Sequence, residues 1–210
     1  MPEHIIKQGE CLSSIAAEYG FEDYRSIWNH PANAGLKQRR LDPNILLPGD
    51  RLFVPEKTIR EEHKPTEDHH VFVVNQSKVQ LELVLQFDSE PLAKKDYTLT
   101  IGLRQLKGTT DAKGKLKQPI EPDDETAVLR LDDPIVEWNL KIGHLDPVTE
   151  VSGVQQRLTN LGHACGDIDG VAGGHTRAAL RQFQSHHGLK PTGAIDAATK
   201  DALRKAHDLS

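Results

Sequence analysis

Asp167 and Asp169 sit in a glycine-rich run, GDIDGVAGG from Gly166 to Gly174, with His163 and Cys165 just before it and His175 just after. These are the residue types of a hydrolytic centre. A catalytic zinc ion needs about three protein ligands and a general base around an open position. The spacing here matches no metallopeptidase pattern, and there is no His-Glu-x-x-His. Glycoside hydrolysis needs two carboxylates across a cleft, whereas two aspartates in a glycine-rich loop are explained by turn stabilisation. A calcium loop supplies more oxygen ligands in sequence than this one does. His163 then reads as a surface residue at a helix end, His175 as a loop residue and Cys165 as a small apolar filler.

The remaining candidates fare no better. His69 and His70 are neighbours on an extended segment and point to opposite faces, and His186 and His187 are neighbours on a helix. Cys11 as a nucleophile needs a base, and His4 is the only local one. Asp111, Asp123, Asp124 and Glu125 sit in turn-like segments as solvated acids. No catalytic residue, metal or cofactor is assigned.

The elements that position these residues change character along the chain. Near the C-terminus, Val154, Leu158 and Leu161 fall at helical spacing before Gly162. Thr176 is placed to cap a second helix, on which Leu180, Phe183 and His187 share a face, and Asp196 starts a third after the Pro191-Thr192-Gly193 turn. At the other end, His4 to Lys7 reads as a strand, and Leu12, Ile15, Ala16 and Tyr19 make a helical stripe closed by Gly20. Asp23 can cap a helix bearing Tyr24, Ile27 and Trp28, a polar loop covers Asn29 to Asn44, and Pro48-Gly49 suits a type II turn into a strand from Arg51 to Val54. Residues 57–70 are charged, aperiodic and broken by Pro65, as a linker is.

Between these ends the period becomes two. Val79, Leu81, Leu83, Leu85 and Phe87 alternate, as do Tyr97, Leu99 and Ile101, and Trp138, Leu140 and Ile142. Lys113-Gly114 is placed at a hairpin tip. Short strands with turn signals indicate an all-β sandwich over 71–148.

The 210 residues carry 37% hydrophobic and 5% aromatic residues, which favours several small cores over one large one. The net charge of −5, with scattered Lys and Arg, argues against general nucleic-acid binding. Cys11 and Cys165 read as free thiols of a reducing compartment. The opening MPEHIIKQGE has no apolar run of a secretory signal, and no stretch is apolar enough to span a bilayer. Synthesis in the cytoplasm is the expectation.

Three resemblances follow. KQGECLSSIAAEYGF and LLPGDRLFVP resemble the opening and closing motifs of a LysM module, with Cys11 where threonine is usual and a longer loop from Asn29 to Asn44. LysM modules bind N-acetylglucosamine-containing glycans. The resemblance places the ligand contacts at Gly9, Glu10, Cys11 and Leu12 and at Asn44, Ile45, Leu46 and Leu47. The Thr-Asp-x-x-Gly-x-Leu segment is similar to that in carboxypeptidase-regulatory-like sandwiches. From Gln155 to Gly193, a Gln-x-x-Leu helix, an Asp-Gly-x-x-Gly loop, Thr-x-x-Ala, Phe-Gln and Gly-Leu-x-x-x-Gly resemble the peptidoglycan-binding domain found beside cell-wall hydrolases. That resemblance implies a surface shaped by Asp169, Gly170 and Arg177. Gly174 stands where the family has proline, which should loosen the loop.

The expectation is a multidomain α+β protein: a βααβ LysM-like module (1–56), a charged linker (57–70), an all-β sandwich (71–148) and a three-helix domain (149–210). Its expected role is non-catalytic binding of peptidoglycan, acting at the cell wall or periplasm after non-classical export. A part in contractile injection machines of the type VI secretion or phage-tail kind comes from resemblance alone. The alternative is an adaptor or chaperone holding a wall-degrading effector or spike protein.

Overall fold

The computed structural model describes residues 3–57, 79–87 and 90–208. Most of the charged linker, His69, His70 and residues 71–78 lie outside the described residues. The chain divides into two compact units, one of residues 1–44 and 48–143, the other of residues 45–47 and 144–210.

The first unit opens with strand β1 (Glu3–Ile5), helices α1 (Leu12–Glu18), α2 (Arg25–Trp28) and α3 (Ala34–Arg39), and strand β2 (Arg51–Phe53). β1 and β2 pair antiparallel, His4 opposite Leu52. α1 starts where Ser14 Oγ accepts from the Cys11 amide (3.0 Å). It ends in a Schellman motif, Gly20 at φ +73° with its amide on the Ala17 carbonyl and that of Phe21 on Ala16. The apolar stripe is inside: Leu12, Ile15 and Ile27 have no exposed surface. Pro48-Gly49 turns as expected, with Gly49 at φ +90°.

The stretch from Asn29 to Asn44 is not a loop. A 3-10 turn (Pro31–Asn33) and α3 fill it, and Leu36 is buried. Polar composition hid this element because one buried leucine on six residues leaves almost no periodic signal. Asn33, also buried, holds the element to the sheet. Its Nδ2 donates to the Ile27 and Phe53 carbonyls, and its Oδ1 accepts from the Phe53 amide, all at 2.8 Å. Arg40 and Asp50 add a buried two-point ion pair (2.7 and 3.1 Å).

The rest of this unit is antiparallel β-structure: β3 (Val79–Val84), β4 (Gln86–Phe87), β5 (Glu90–Pro91), β6 (Asp96–Ile101), β7 (Arg104–Thr109), β8 (Lys115–Ile120), β9 (Thr126–Asp132) and β10 (Ile135–Lys141). The order β10-β9-β6-β7 makes one sheet; β3 pairs β8, and β4 pairs β5. Tyr97, Leu99, Ile101, Leu116, Ile120, Leu129 and Leu131 form the core, with Trp138, Leu140 and Ile142 half-buried against it. Two expectations are corrected. Lys113-Gly114 is not a hairpin tip, because β7 and β8 pair with different partners and the turn carries the chain from one sheet to another. Asp111 holds that turn by accepting from the Lys113 and Lys115 amides (2.7 and 2.9 Å). Phe87 leaves the half-buried stripe and is exposed, because the chain breaks at Leu85 and re-pairs with β5. Tyr97 crosses between sheets: its ring covers Gly108, where a Cβ would lie 2.5 Å from its hydroxyl, and that hydroxyl accepts from Gln118 Nε2 (2.9 Å).

The second unit carries α4 (Val151–Asn160), α5 (Gly174–His186) and α6 (Ala197–His207). Val154, Leu158, Cys165, Ala179, Leu180, Phe183 and Leu203 are its core. Thr176 is not the cap of α5, since Gly173 holds that position and Thr176 is buried one turn in. Gly174 is the first helical residue rather than part of the loop, with open space where a Cβ would go. Asp196 caps α6, accepting from the Thr199 amide (2.8 Å).

Replacing Asn33 by alanine takes the side-chain partner from both the amide and the carbonyl of Phe53, while the Ile27 carbonyl keeps the His30 amide. The expected loss in denaturant-induced unfolding of the N-terminal helices is about 3 kcal/mol, read by the fluorescence of buried Trp28.

Candidate functional site

The site is built on a repeat within the second unit. DGVAGGHTRAAL (Asp169 to Leu180) and TGAIDAATKDAL (Thr192 to Leu203) align without a gap. Gly170 and Gly193 are the left-handed residues, at φ +74° and +71°. Ahead of each lies a helix with a buried glutamine. Gln155 Oε1 accepts from the Gly170 amide (2.9 Å), and Gln184 Oε1 from the Gly193 amide (2.8 Å). The two Nε2 groups repeat the same contacts. Gln155 reaches Asp169 Oδ1 (2.8 Å), the Val171 carbonyl (3.2 Å) and Thr176 Oγ1 (3.2 Å). Gln184 reaches Thr192 Oγ1 (3.2 Å), the Ala194 carbonyl (3.1 Å) and Thr199 Oγ1 (2.9 Å). Asp169 and Thr192 each close an Asx- or ST-type turn onto the amide two residues on, Val171 (2.9 Å) and Ala194 (3.2 Å).

Where the second turn meets α5 there is an open groove, lined by Ala172, Arg177, Arg181 and residues 192–195. Arg177 and Arg181 are exposed, one helical turn apart, and among the described residues neither has an ion-pair partner. The turn lies so close to α5 that a Cβ on Gly193 would sit 2.9 Å from Arg181 Nη1 and 3.0 Å from the Arg177 carbonyl. The groove thus offers two guanidinium groups beside an irregular backbone.

Of the residues expected here, Arg177 lines the groove and Asp169 and Gly170 do not. Asp169 is spent on the turn: Gln155 and the Val171 amide hold its carboxyl below the usual range. Ile168 and Val171 project beside it, both exposed. The groove residues Arg181 and 192–195 were missed, and the repeat was the signal that would have found them. Cys165 is a filler as expected, donating to the Gln155 carbonyl (3.3 Å). His163 is half-buried, edge-on to Phe183 with ring centroids 5.7 Å apart and 5.5 Å from His186. His187 packs against Phe183 with ring centroids 4.2 Å apart and planes tilted by 33°.

In the N-terminal module, Glu10 is also spent. Its carboxylate accepts from His4 Nε2 and the Lys7 amide, both at 2.8 Å. Burial alone would raise its pKa, but these bonds hold it below the usual value. With Nδ1 of His4 at Tyr19 Oη (3.2 Å), both ring nitrogens are engaged away from Cys11. Gly9 presents its carbonyl to Gly143, where a Cβ would come within 2.6 Å. Leu12 is fully buried, and its amide donates to the Pro43 carbonyl (3.2 Å). Asn44 accepts from Ser13 Oγ (3.0 Å). Residues 45–47, expected beside Gly9 to Leu12, belong to the second unit, with Leu46 buried and Ile45 and Leu47 half-buried.

Residues 148–203 match the family model described as "Putative peptidoglycan binding domain". The chain is also similar to a curated protein of Synechococcus elongatus named "Putative OxPP cycle protein OpcA", 47% identical over 60 residues. That similarity covers 29% of this chain and 14% of the relative's length. No solved structure matches the chain significantly. No helix among the described residues is long and apolar enough to cross a membrane.

Replacing Gln155 or Gln184 by methionine keeps the volume and removes the hub. Each is expected to lower the unfolding free energy of this unit by about 3 kcal/mol, while Gln182→Ala on the exposed face leaves the circular-dichroism transition in denaturant unchanged.

Burial, with the charge of His186 nearby, lowers the pKa of both His163 and His187. The folded chain therefore binds fewer protons than the unfolded one just below the ordinary histidine value of about 6.5. Stability is full above that value and declines as pH falls through the interval down to the depressed pKa values. Melting midpoints measured from pH 8 to 5 should show that decline, and His163→Gln should flatten it.

Proposed function

We propose that the chain is a non-catalytic peptidoglycan-binding protein whose C-terminal groove takes the carboxylate-bearing part of the polymer. The observation that carries this is the pair Arg177 and Arg181 facing the 192–195 turn within the region that matches the peptidoglycan-binding family. Guanidinium forks suit carboxylates, which they hold at two points, and stem peptides carry carboxylates. The non-catalytic reading is supported by the fate of the acids: Asp169, Glu10 and Asp111 all serve turns.

The N-terminal module supplies a second, glycan-directed contact through the Gly9–Leu12 turn and Asn44, supported by its likeness to LysM sequences. Two weak sites on one chain gain affinity when both reach the same polymer. Action at the cell wall follows from that reading. A place as component or cargo of a contractile injection machine rests on resemblance alone, that of a LysM-like module followed by a β region.

Purified sacculi provide the test. The full chain should co-sediment with them, and Arg177→Ala/Arg181→Ala should weaken retention at least tenfold while leaving the melting curve intact. Retention unchanged in the double variant would remove the groove from the reading; no retention of the unaltered chain would overturn the function itself.

A further inference from the structure

We infer that His4, Glu10 and Glu18 form a zinc-binding site in the N-terminal module. One ligand atom from each lies within 4.8 Å of the other two. They come from three places that the fold fixes: His4 from β1, Glu10 from the turn that follows, and Glu18 from the last position of α1. His4 is buried, and Glu18 is exposed and, among the described residues, without an ion-pair or hydrogen-bond partner. Two carboxylates therefore converge on one imidazole. The solvent-exposed Lys7 lies near them, its Nζ 3.7 Å from Glu10 Oε1.

The geometry needs little change to hold an ion. Zinc binds nitrogen and oxygen ligands at about 2.0–2.2 Å, which in a tetrahedron puts ligand atoms roughly 3.3–3.5 Å apart. The His4 Nε2 to Glu10 Oε2 distance is 2.8 Å and opens by about half an ångström to meet that requirement. Glu18, exposed and with three rotatable side-chain bonds, swings inward. The two carboxylates match the charge of the ion, and a water completes the tetrahedron.

The far side of the imidazole is already arranged for a ligand role. Nδ1 lies 3.2 Å from Tyr19 Oη, the residue after Glu18, and the two rings meet edge to face at 5.7 Å. A metal-ligating histidine characteristically donates its second ring N–H to an oxygen acceptor, commonly a carboxylate, backbone carbonyl or water, which fixes its tautomer and orientation; here the Tyr19 oxygen takes that place. When zinc takes Nε2 of a neutral His4, the ring proton resides on Nδ1 and the Tyr19 oxygen accepts it; the hydroxyl hydrogen turns outward. No net proton is released from the neutral ring. A turn clamp needs only Glu10, which already meets His4 and the Lys7 amide. Glu18 has no part in that clamp, and its convergence is what the ion explains.

Bound zinc would tie the Gly9–Leu12 turn to β1 and to the C-terminal end of α1. The inference rests on this module's geometry and is independent of the peptidoglycan reading.

Isothermal titration of the full chain with zinc chloride, and with magnesium chloride for comparison, tests the site. The expected result is a zinc-selective binding event that Glu18→Gln weakens at least tenfold, with far-UV circular dichroism unchanged in the variant. Zinc should also shift the His4 ring resonances in a histidine-selective nitrogen–proton spectrum. The chain has 11 histidines, so zinc heat alone does not identify the site. Zinc affinity equal in the unaltered chain and Glu18→Gln, unmoved His4 resonances, or no binding up to about 1 mM zinc would each overturn the proposal.

Discussion

A buried backbone amide must have a partner, and in the C-terminal unit two glutamine side chains supply the partners for two irregular turns. A carboxamide is the right group because it carries an acceptor and a two-hydrogen donor at one end of a flexible stem. Its oxygen takes the amide of the left-handed glycine. Its nitrogen is shared among a carbonyl, a turn side chain and a threonine on the next helix. Helix, turn and following helix become one unit. Gln155 and Gln184 are 1% and 0% exposed, so water cannot replace either of them. The groove depends on this, because one of its walls is the turn that Gln184 holds.

The same logic recurs wherever the apolar core is too small to fix the chain alone. Asn33 ties a 3-10 turn to β2, and the hydroxyl of Tyr97 reaches Gln118 across sheets. Arg157 is the largest fully buried side chain. It donates to the Asp146 and Gly153 carbonyls and to Asp208, and so joins the segment before α4 to the end of α6. Desolvation pulls the Asp208 pKa upward, yet His207 and Arg157 hold it below the usual value. Pairs of this kind are costly to break singly, so Arg157 and Asp208 hold the helices of this unit together.

What could be read in the sequence was periodicity and punctuation. The stripes on α1, α4 and α5, the alternation of Tyr97, Leu99 and Ile101, and the turns at Gly20, Gly49 and Gly162 all depend on interactions within a few residues. What could not be read depends on partners far along the chain. The turn after β7 announces itself through Asp111 and Gly114, but which strand β8 joins is decided by β3. The internal repeat was obscured because its hubs are out of register. Gln155 lies 15 residues before its glycine and Gln184 only 9 before its own, so the glutamines do not align when the turns do. Thr176 shows the same dependence on a distant partner: a threonine at a helix start is ordinarily a cap, but here it sits inside α5 with its hydroxyl on the buried Gln155.

Gly174 shows how a local reading and a long-range one part company. In the sequence it looks like slack in a loop, since glycine has the most freedom to lose on folding. In the structure it opens α5, after a residue with extended backbone and in open space, so proline's fixed φ and missing N–H would both be tolerated there. The turn's rigidity does not come from this position. It comes from Asp169 and Gln155, and from Thr192 and Gln184 in the second copy. Each acid or hydroxyl committed to that scaffold is held by a turn, whereas Arg177 and Arg181 stand exposed beside the second copy. Guanidinium groups placed a helical turn apart suit carboxylates, which each can hold at two points.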